Sequence, residues 1–151
     1  MRSGPEPALH DQQDFPITAV ADRKRQLVLV AEDEHHDWLI YGKLLWYNGY
    51  DVLHAETGDD GLRLARKHKP DLVLADLMLP GMNGIEMCRE IKQDPETSHI
   101  PVIMLTARRA AEYGSRATSA GCATFLEKPI GPVDVLHEVE RMVGRAPPPV
   151  D

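Results

Sequence analysis

PDLVLADLMLPGMNG, residues 70–84, combines the features of a buried strand with those of a tight loop. The run Leu72–Ala75 is apolar without alternation, which is typical of a strand covered on both faces in a parallel sheet. Asp76 follows directly, and the proline, glycines and asparagine after it predict a turn, with a new helix starting near Gly84. Ligands bind at the carboxyl ends of strands in such sheets. Asp76 is therefore either a loop cap or a functional carboxylate.

The segments on either side of this stretch predict an alternation of strands and helices. Further strands are predicted at Leu27–Ala31, Asp51–Ala55, Pro101–Leu105 and Thr124–Glu127. Helices are predicted at residues 34–48, from a cap at Thr57 or Asp59 to Lys67, at Ile85–Gln93, at about 110–120 and from Pro132 onward. Because every parallel connection needs a crossover, five strands alternating with five helices predict a doubly wound α/β sheet.

The two ends of the chain differ from this pattern. Residues 1–26 carry three prolines among polar residues and no sustained period, which predicts a disordered N-terminal arm. Residues 145–151 contain three more prolines and are interpreted as a Pro-rich tail. The predicted folded domain therefore spans residues 27–144.

Composition limits the classes of function. The chain of 151 residues fits one domain, and its net charge of −7 argues against nucleic-acid binding, which needs a basic face. No apolar run approaches the ~20 residues of a membrane span, and the first residues lack the pattern of a signal peptide. We expect a cytoplasmic protein that binds neither membrane nor nucleic acid. Cys88 and Cys122 are expected to be packed thiols rather than a disulfide.

Polar residues follow four of the predicted strands, and a parallel sheet brings them to one edge. They are Glu32-Asp33, Asp76, Thr106-Ala107 and Lys128. Three converging carboxylates either raise a pKa or hold a cation, and a site with oxygen ligands alone favours Mg²⁺. Asp76 would then be the nucleophile of a phosphoryl transfer. Lys128, the Thr106 hydroxyl and the Ala107 N–H would bind phosphoryl oxygens.

In this order and spacing, these residues resemble the receiver domain of bacterial two-component response regulators over about residues 27–144. The resemblance is carried by Glu32-Asp33, the stretch from Asp76 to Gly84, Thr106-Ala107 and Lys128-Pro129. It implies a flavodoxin-like (βα)5 fold with strand order 2-1-3-4-5. It also implies that Asp76 takes a phosphoryl group from a phosphohistidine on a kinase or phosphotransfer protein. Glu32, Asp33, Asp76 and the Met78 carbonyl would hold Mg²⁺.

The same resemblance assigns roles to three other positions. Phe125 would change rotamer together with Thr106 as a switch, while Met78 and Arg108 would tune dephosphorylation. The chain would then act as a signalling switch rather than as an enzyme on other substrates. Its output would be a change in contacts with a downstream protein target or with a second copy of itself, through the helix at about 110–120, the strand at 124–127 and the last helix.

Other functions remain open from the sequence. A receiver-like module that does not depend on phosphorylation would carry the same residues. An aspartyl-phosphate phosphatase of the haloacid dehalogenase type has a second Asp two residues after its nucleophile, and this chain has Met78 there. A flavodoxin-like cofactor binder would need a phosphate-binding first loop, and this loop is acidic. His35 and His36 belong either to a solvated helical turn or to a transition-metal site.

The first predicted helix carries large apolar residues on both sides. At 100° per residue, Ile40, Leu44 and Tyr47 are placed toward the sheet, and Trp38, Leu39 and Trp46 on the opposite side. We therefore predict a partner-docking face with aromatic anchors at Trp38, Leu39 and Trp46. The alternative is burial of these side chains against the N-terminal arm, or a helix rotated from this placement.

Overall fold

The computed structural model describes residues 25–107 and 110–144. Five strands alternate with five helices along this part of the chain. The strands are β1 (Leu27–Ala31), β2 (Asp51–Ala55), β3 (Leu72–Ala75), β4 (Val102–Thr106) and β5 (Thr124–Glu127). The helices are α1 (His35–Tyr47), α2 (Gly58–His68), α3 (Gly84–Gln93), α4 (Ala110–Ser119) and α5 (Pro132–Val143). The predicted element types are confirmed, and the predicted and observed boundaries agree to within one residue.

The strands form one parallel sheet in the order β2-β1-β3-β4-β5. Val28 pairs with Val52 on one side and with Leu72 on the other, so β1 lies inside the sheet. This arrangement confirms the predicted doubly wound fold. It also brings the carboxyl ends of all five strands to the same edge.

The sheet is covered on both faces, which explains why its inner strands lack polar alternation. Leu27, Leu29 and Ala31 of β1 belong to a core under α2, α3 and α4, whereas Val28 and Val30 belong to a core under α1 and α5. All residues of β1, β3 and β4 are buried, but β5 is an edge strand and is only partly covered.

The predicted docking face on α1 is wrong for Trp38, because the helix is rotated from the expected placement. Trp38 is fully buried and its ring stacks on that of His54, with centroids 3.9 Å apart. Leu39 and Trp46 are partly buried and pack against the same core. Tyr47, which was expected to face the sheet, is 58% exposed. Since both sides of α1 carry large apolar residues, periodicity alone does not determine which side is buried.

Arg25 and Gln26 contact the folded domain, although the sequence interpretation placed them in the arm. The Arg25 guanidinium donates hydrogen bonds to the carbonyls of Trp46 in α1 and of Gly49 and Tyr50 just after it. It also lies 4.3 Å from the centre of the Trp46 ring. Gln26 donates to the carbonyl of Val143 at 2.7 Å. The rest of the predicted arm and the whole predicted tail lie outside the described residues.

Two further features concern the cysteines and the helices of the described residues. Cys88 and Cys122 are both free thiols, as expected. Within the described ranges, none of the helices combines the length and hydrophobicity needed to cross a bilayer.

Candidate functional site

Backbone hydrogen bonds place two of the predicted carboxylates side by side beyond the ends of β1 and β3. The Glu32 N–H donates to the Ala55 carbonyl at 2.9 Å, and the Asp76 N–H donates to the Ala31 carbonyl at 2.9 Å. These bonds extend the ladders of the sheet by one residue. Glu32 and Asp76 therefore occupy fixed positions at the carboxyl edge.

Lys128 joins the site from β5 through the same kind of contact. Its N–H donates to the carbonyl of Thr106 at 2.8 Å, one residue beyond the pairing of Thr106 with Glu127. Its ammonium donates to Glu32 Oε1 at 3.0 Å, Asp76 Oδ2 at 3.1 Å and Asp37 Oδ2 at 2.7 Å. One cation thus bridges carboxylates from three separate segments of the chain.

Burial shapes the electrostatics of this cluster. Glu32 is only 3% exposed, and the loss of hydration raises its pKa to about 7, despite the hydrogen bond from Lys128 that favours the charged form. Burial alone would lower the pKa of Lys128, but hydrogen bonds to Asp37 and Glu32 and the charge of Asp76 outweigh it and raise the pKa. Lys128 is therefore a permanent cation, whereas Glu32 exchanges a proton near neutral pH.

The loop after β3 holds the second oxygen of Asp76. The Met78 N–H donates to Asp76 Oδ1 at 3.0 Å. Asn83 and Glu86 form a reciprocal capping box that starts α3. A Cβ at Gly84 would collide with the Asp76 carbonyl oxygen, so glycine permits the close approach of α3 to this strand end. Asp76 is therefore a loop cap and also a member of the charged cluster.

The other predicted residues take different positions around this cluster. Thr106 is buried at the end of β4, and Ala107 is exposed directly after it. Phe125 is partly buried next to Met104, on the face of the sheet from which Thr106 also projects by strand alternation. Asp33 is exposed beside Glu32. Arg108 lies outside the described residues.

Asp37 is the site residue that the sequence interpretation missed. It lies in the first turn of α1, where its carboxylate makes the shortest of the three contacts with Lys128. The sequence did indicate that Asp37 lies near the site. It is five residues after Glu32, in a helix that was predicted to begin at the carboxyl edge. An acidic side chain there is also favoured by the helix dipole, so its occurrence alone does not indicate a functional role.

The donor set fits Mg²⁺ chemically, because Glu32, Asp33 and Asp76 offer the carboxylate oxygens that this ion prefers. Among the described residues, however, no three His, Cys, Asp or Glu side chains are grouped closely enough to form a ready metal site. The Lys128 ammonium lies between Glu32 and Asp76 and supplies the positive charge there. Glu32 and Asp76, which would hold a metal ion, are thus carboxylates that the ammonium also contacts.

A mainly apolar cleft of about 390 Å³ opens beside the cluster. Its walls come from α1, from the end of β4 and from the segment between β5 and α5; the lining residues are Asp37, Ile40, Tyr41, Ala107, Lys128, Pro129, Ile130 and Pro132. The charged groups of the site are thus accessible from one side, next to apolar surface.

Comparisons with known proteins agree with this arrangement. A family model described as response regulator receiver domain matches residues 28–140. The polar-differentiation response regulator DivK of Brucella anthropi is 33% identical over 119 residues, which make up 79% of this chain and 97% of DivK. A histidine kinase of Formosa agariphila is 34% identical over 110 residues, which make up 73% of this chain but only 8% of that kinase.

A similar solved structure is the receiver domain of a sensor histidine kinase from Pseudomonas aeruginosa. It has a TM-score of 0.74 and 27% sequence identity, and the match covers 79% of this chain and 98% of that domain. That structure is described with a magnesium ion coordinated in its active-site cleft.

Proposed function

The chain belongs to the response regulator receiver domain family of two-component signalling, and from this we propose that phosphorylation of Asp76 switches its contacts with other proteins. The donor would be a phosphohistidine on a histidine kinase or on a phosphotransfer protein. The observation that carries the proposal is the position of Asp76 Oδ2, at the carboxyl edge and 3.1 Å from the Lys128 ammonium. A carboxylate held next to a permanent cation is suited to receive an anionic group.

The proposed step is a direct transfer between two side chains. A carboxylate oxygen of Asp76 attacks the phosphorus, the P–N bond to the donor imidazole breaks, and the imidazole leaves with the bonding electron pair. Lys128, the Thr106 hydroxyl and the Ala107 N–H would hold the phosphoryl oxygens. The product is an acyl phosphate on Asp76, which water later hydrolyses.

The carboxylates around Asp76 would hold Mg²⁺ during this reaction. Glu32, Asp33, Asp76 and the backbone carbonyl of Met78 are the proposed ligands, and the ion in the related Pseudomonas domain supports the assignment. A bound Mg²⁺ supplies neutralisation of the charge shared by the carboxylates and the phosphoryl group. Asp76 is only partly exposed, so the protein itself limits access of bulk water to the acyl group.

The link from phosphorylation to output would be Thr106 and Phe125. Both project from the same face of the sheet, on neighbouring strands, and Phe125 is covered only in part. A Thr106 hydroxyl drawn to the phosphoryl group would leave space into which the Phe125 ring can move. The surface formed by α4, β5 and α5 would then present a different shape to a downstream protein or to a second copy of this chain.

Two further residues would set the lifetime of the phosphorylated state. Met78 is 48% exposed at the site, and its side chain would lie over the phosphoryl group. Arg108, two residues after Thr106 in the sequence, would be the second of them. The balance between shielding by Met78 and charge on Arg108 would determine how fast water reaches the acyl phosphate.

Intact-protein mass spectrometry after incubation with acetyl phosphate and Mg²⁺ tests the proposal. We expect the wild-type chain to gain the mass of one phosphoryl group and Asp76→Asn to gain none. Asp60→Asn, which removes an exposed carboxylate from α2, is the matched control and should be phosphorylated as the wild type is. An adduct that persists in Asp76→Asn would overturn the assignment, and no adduct in the wild type would favour a phosphorylation-independent module.

A further inference from the structure

The Asp37 carboxylate makes the closest contact with the Lys128 ammonium. The Asp37 Oδ2 distance is 2.7 Å, compared with 3.0 Å for Glu32 Oε1 and 3.1 Å for Asp76 Oδ2. A lysine ammonium has three N–H donors, and here they are directed to three different carboxylates. Asp37 has no role in the proposed phosphoryl transfer. It is nevertheless the closest partner of Lys128, which does have one.

The three carboxylates differ in their proposed roles in Mg²⁺ binding. Glu32 and Asp76 are both proposed ligands of Mg²⁺, so the ammonium that binds their oxygens competes with the metal ion. Asp37 lies outside that ligand set, in the first turn of α1. Of the three carboxylates, Asp37 is the one that can keep Lys128 in the site while Glu32 and Asp76 bind the metal ion.

The surroundings of Asp37 favour such a holding position. Its backbone N–H donates to the Glu34 side chain at 3.0 Å, which fixes the first turn of the helix. Its side chain is 28% exposed, compared with 13% for Asp76 and 3% for Glu32, so it lies on the outer side of the cluster. Tyr41 follows one turn later, and its ring centre is 5.8 Å from the same ammonium.

We propose that Asp37 is a positioning residue that holds the Lys128 ammonium clear of Glu32 and Asp76 when Mg²⁺ and the phosphoryl group bind. This inference rests on the proposed function, because it gives Asp37 a task only if those two carboxylates bind the metal. Without Asp37, no carboxylate outside the metal-binding set contacts the ammonium among the described residues. The ammonium then remains on Glu32 and Asp76 and competes with Mg²⁺ for them.

The first test is the Mg²⁺ affinity of Asp37→Asn, measured by isothermal titration calorimetry without any phosphoryl donor. We expect binding about tenfold weaker than in the wild type, as for the loss of one charge-assisted hydrogen bond. Removing any nearby negative charge also weakens cation binding. Glu56→Gln removes an exposed acid just beyond β2 at the same edge and is the matched control. Asp37→Glu should recover most of the affinity.

The second test is a double-mutant cycle with Lys128→Met. If Asp37 acts through the ammonium, then Asp37→Asn in the Lys128→Met background should weaken Mg²⁺ binding no more than the control does. In addition, the ¹⁵Nζ chemical shift of Lys128 should change when Mg²⁺ is added to the wild type. Without Mg²⁺, this chemical shift should differ between Asp37→Asn and the wild type. Urea unfolding confirms that each variant is folded, and Asp37→Ser, which keeps a polar side chain in the first turn, serves as a second variant.

Two results would overturn the inference. One is a loss of affinity in Asp37→Asn and Asp37→Ser that does not exceed the loss in Glu56→Gln. The other is a loss that persists undiminished when Lys128 is absent. Neither depends on phosphorylation, so a wild-type chain that binds Mg²⁺ but takes no phosphoryl group from acetyl phosphate would refute the proposed function alone.

Discussion

Replacement of Lys128 by methionine would leave three carboxylates facing one another without a cation. The side chain of Lys128 is 15% exposed, and its partners Glu32 and Asp76 are 3% and 13% exposed. Because the cluster is largely buried, water replaces the lost ammonium poorly. Lys128→Met should therefore lower the free energy of unfolding.

The expected magnitude follows from this burial. Removing one partner of a buried ion pair costs roughly 3–5 kcal/mol, and Glu32 can relieve part of that cost by taking up a proton. We therefore expect a loss of about 3 kcal/mol at about pH 8, where Glu32 is charged in the wild type, and a smaller loss at about pH 6.

The direction of this pH effect follows from the raised pKa of Glu32. A carboxyl group whose pKa is raised on folding, here from 4.5 to about 7, favours the folded state below the lower value and loses that contribution as pH rises through the higher one. Loss of the Lys128 hydrogen bond raises the pKa of Glu32 further. The stability difference between the variant and the wild type should thus increase from acid to alkaline pH.

Urea unfolding in the presence of EDTA measures this difference, and added Mg²⁺ should restore part of it by replacing the missing positive charge. Lys67→Met, which removes an exposed lysine in the last turn of α2, is the matched control and should change stability by less than about 0.5 kcal/mol. A Lys128→Met variant as stable as the wild type at about pH 8, or one whose loss of stability is larger in acid, would contradict this expectation.

Three more outcomes are expected. Trp38→Ala should lower the free energy of unfolding in urea by about 3–5 kcal/mol, because the Trp38 side chain is fully buried. Tyr47→Ala, on the exposed side of α1, should lower it by less than about 1 kcal/mol. Equal losses would contradict the observed rotation of α1. The His54 ring should titrate below 6.5 in an NMR pH series, because burial lowers its pKa, and a midpoint above 6.5 would contradict that placement. Gly84→Ala should lower the melting temperature and weaken Mg²⁺ binding, because the new Cβ would collide with backbone atoms after β3. Gly131→Ala is the control and should change neither, since its Cβ would meet its nearest atom at 3.5 Å. An unchanged melting temperature in Gly84→Ala would refute the close contact.

The strands and the edge they share were predictable because local sequence determines them. Leu72–Ala75 is apolar on both faces, and a parallel sheet covered by helices on both sides requires that pattern. The charged residues directly after β1, β3 and β5 are then brought to the carboxyl edge of this sheet. Glu32, Asp76 and Lys128 meet at the carboxyl edge as expected, with contacts that the backbone ladder fixes.

The orientation of α1 was not predictable in the same way. Its apolar residues surround the helix, so the buried side depends on which ring fits the space over the sheet. The fit of Trp38 against His54 decides this, and Arg25 covers Trp46 from a segment that composition had placed outside the domain. Both are tertiary contacts between residues distant in sequence, and periodicity carries no information about them.

Asp37 escaped prediction for a related reason. An acid in a first helical turn is common, since it compensates the helix dipole, and the carboxylates after the strands already offered partners for Lys128. Only the direction of α1 relative to β5 brings Asp37 Oδ2 within 2.7 Å of the ammonium.

Borohydride reduction identifies directly which aspartate accepts the phosphoryl group. Acyl phosphates are reduced by borohydride to alcohols, so treatment of the phosphorylated chain converts the acceptor aspartate into homoserine, which peptide mass spectrometry locates by position. We expect homoserine at residue 76, and only after incubation with acetyl phosphate and Mg²⁺. Homoserine at position 33 or 37, or its formation without Mg²⁺, would contradict Mg²⁺-dependent phosphorylation of Asp76.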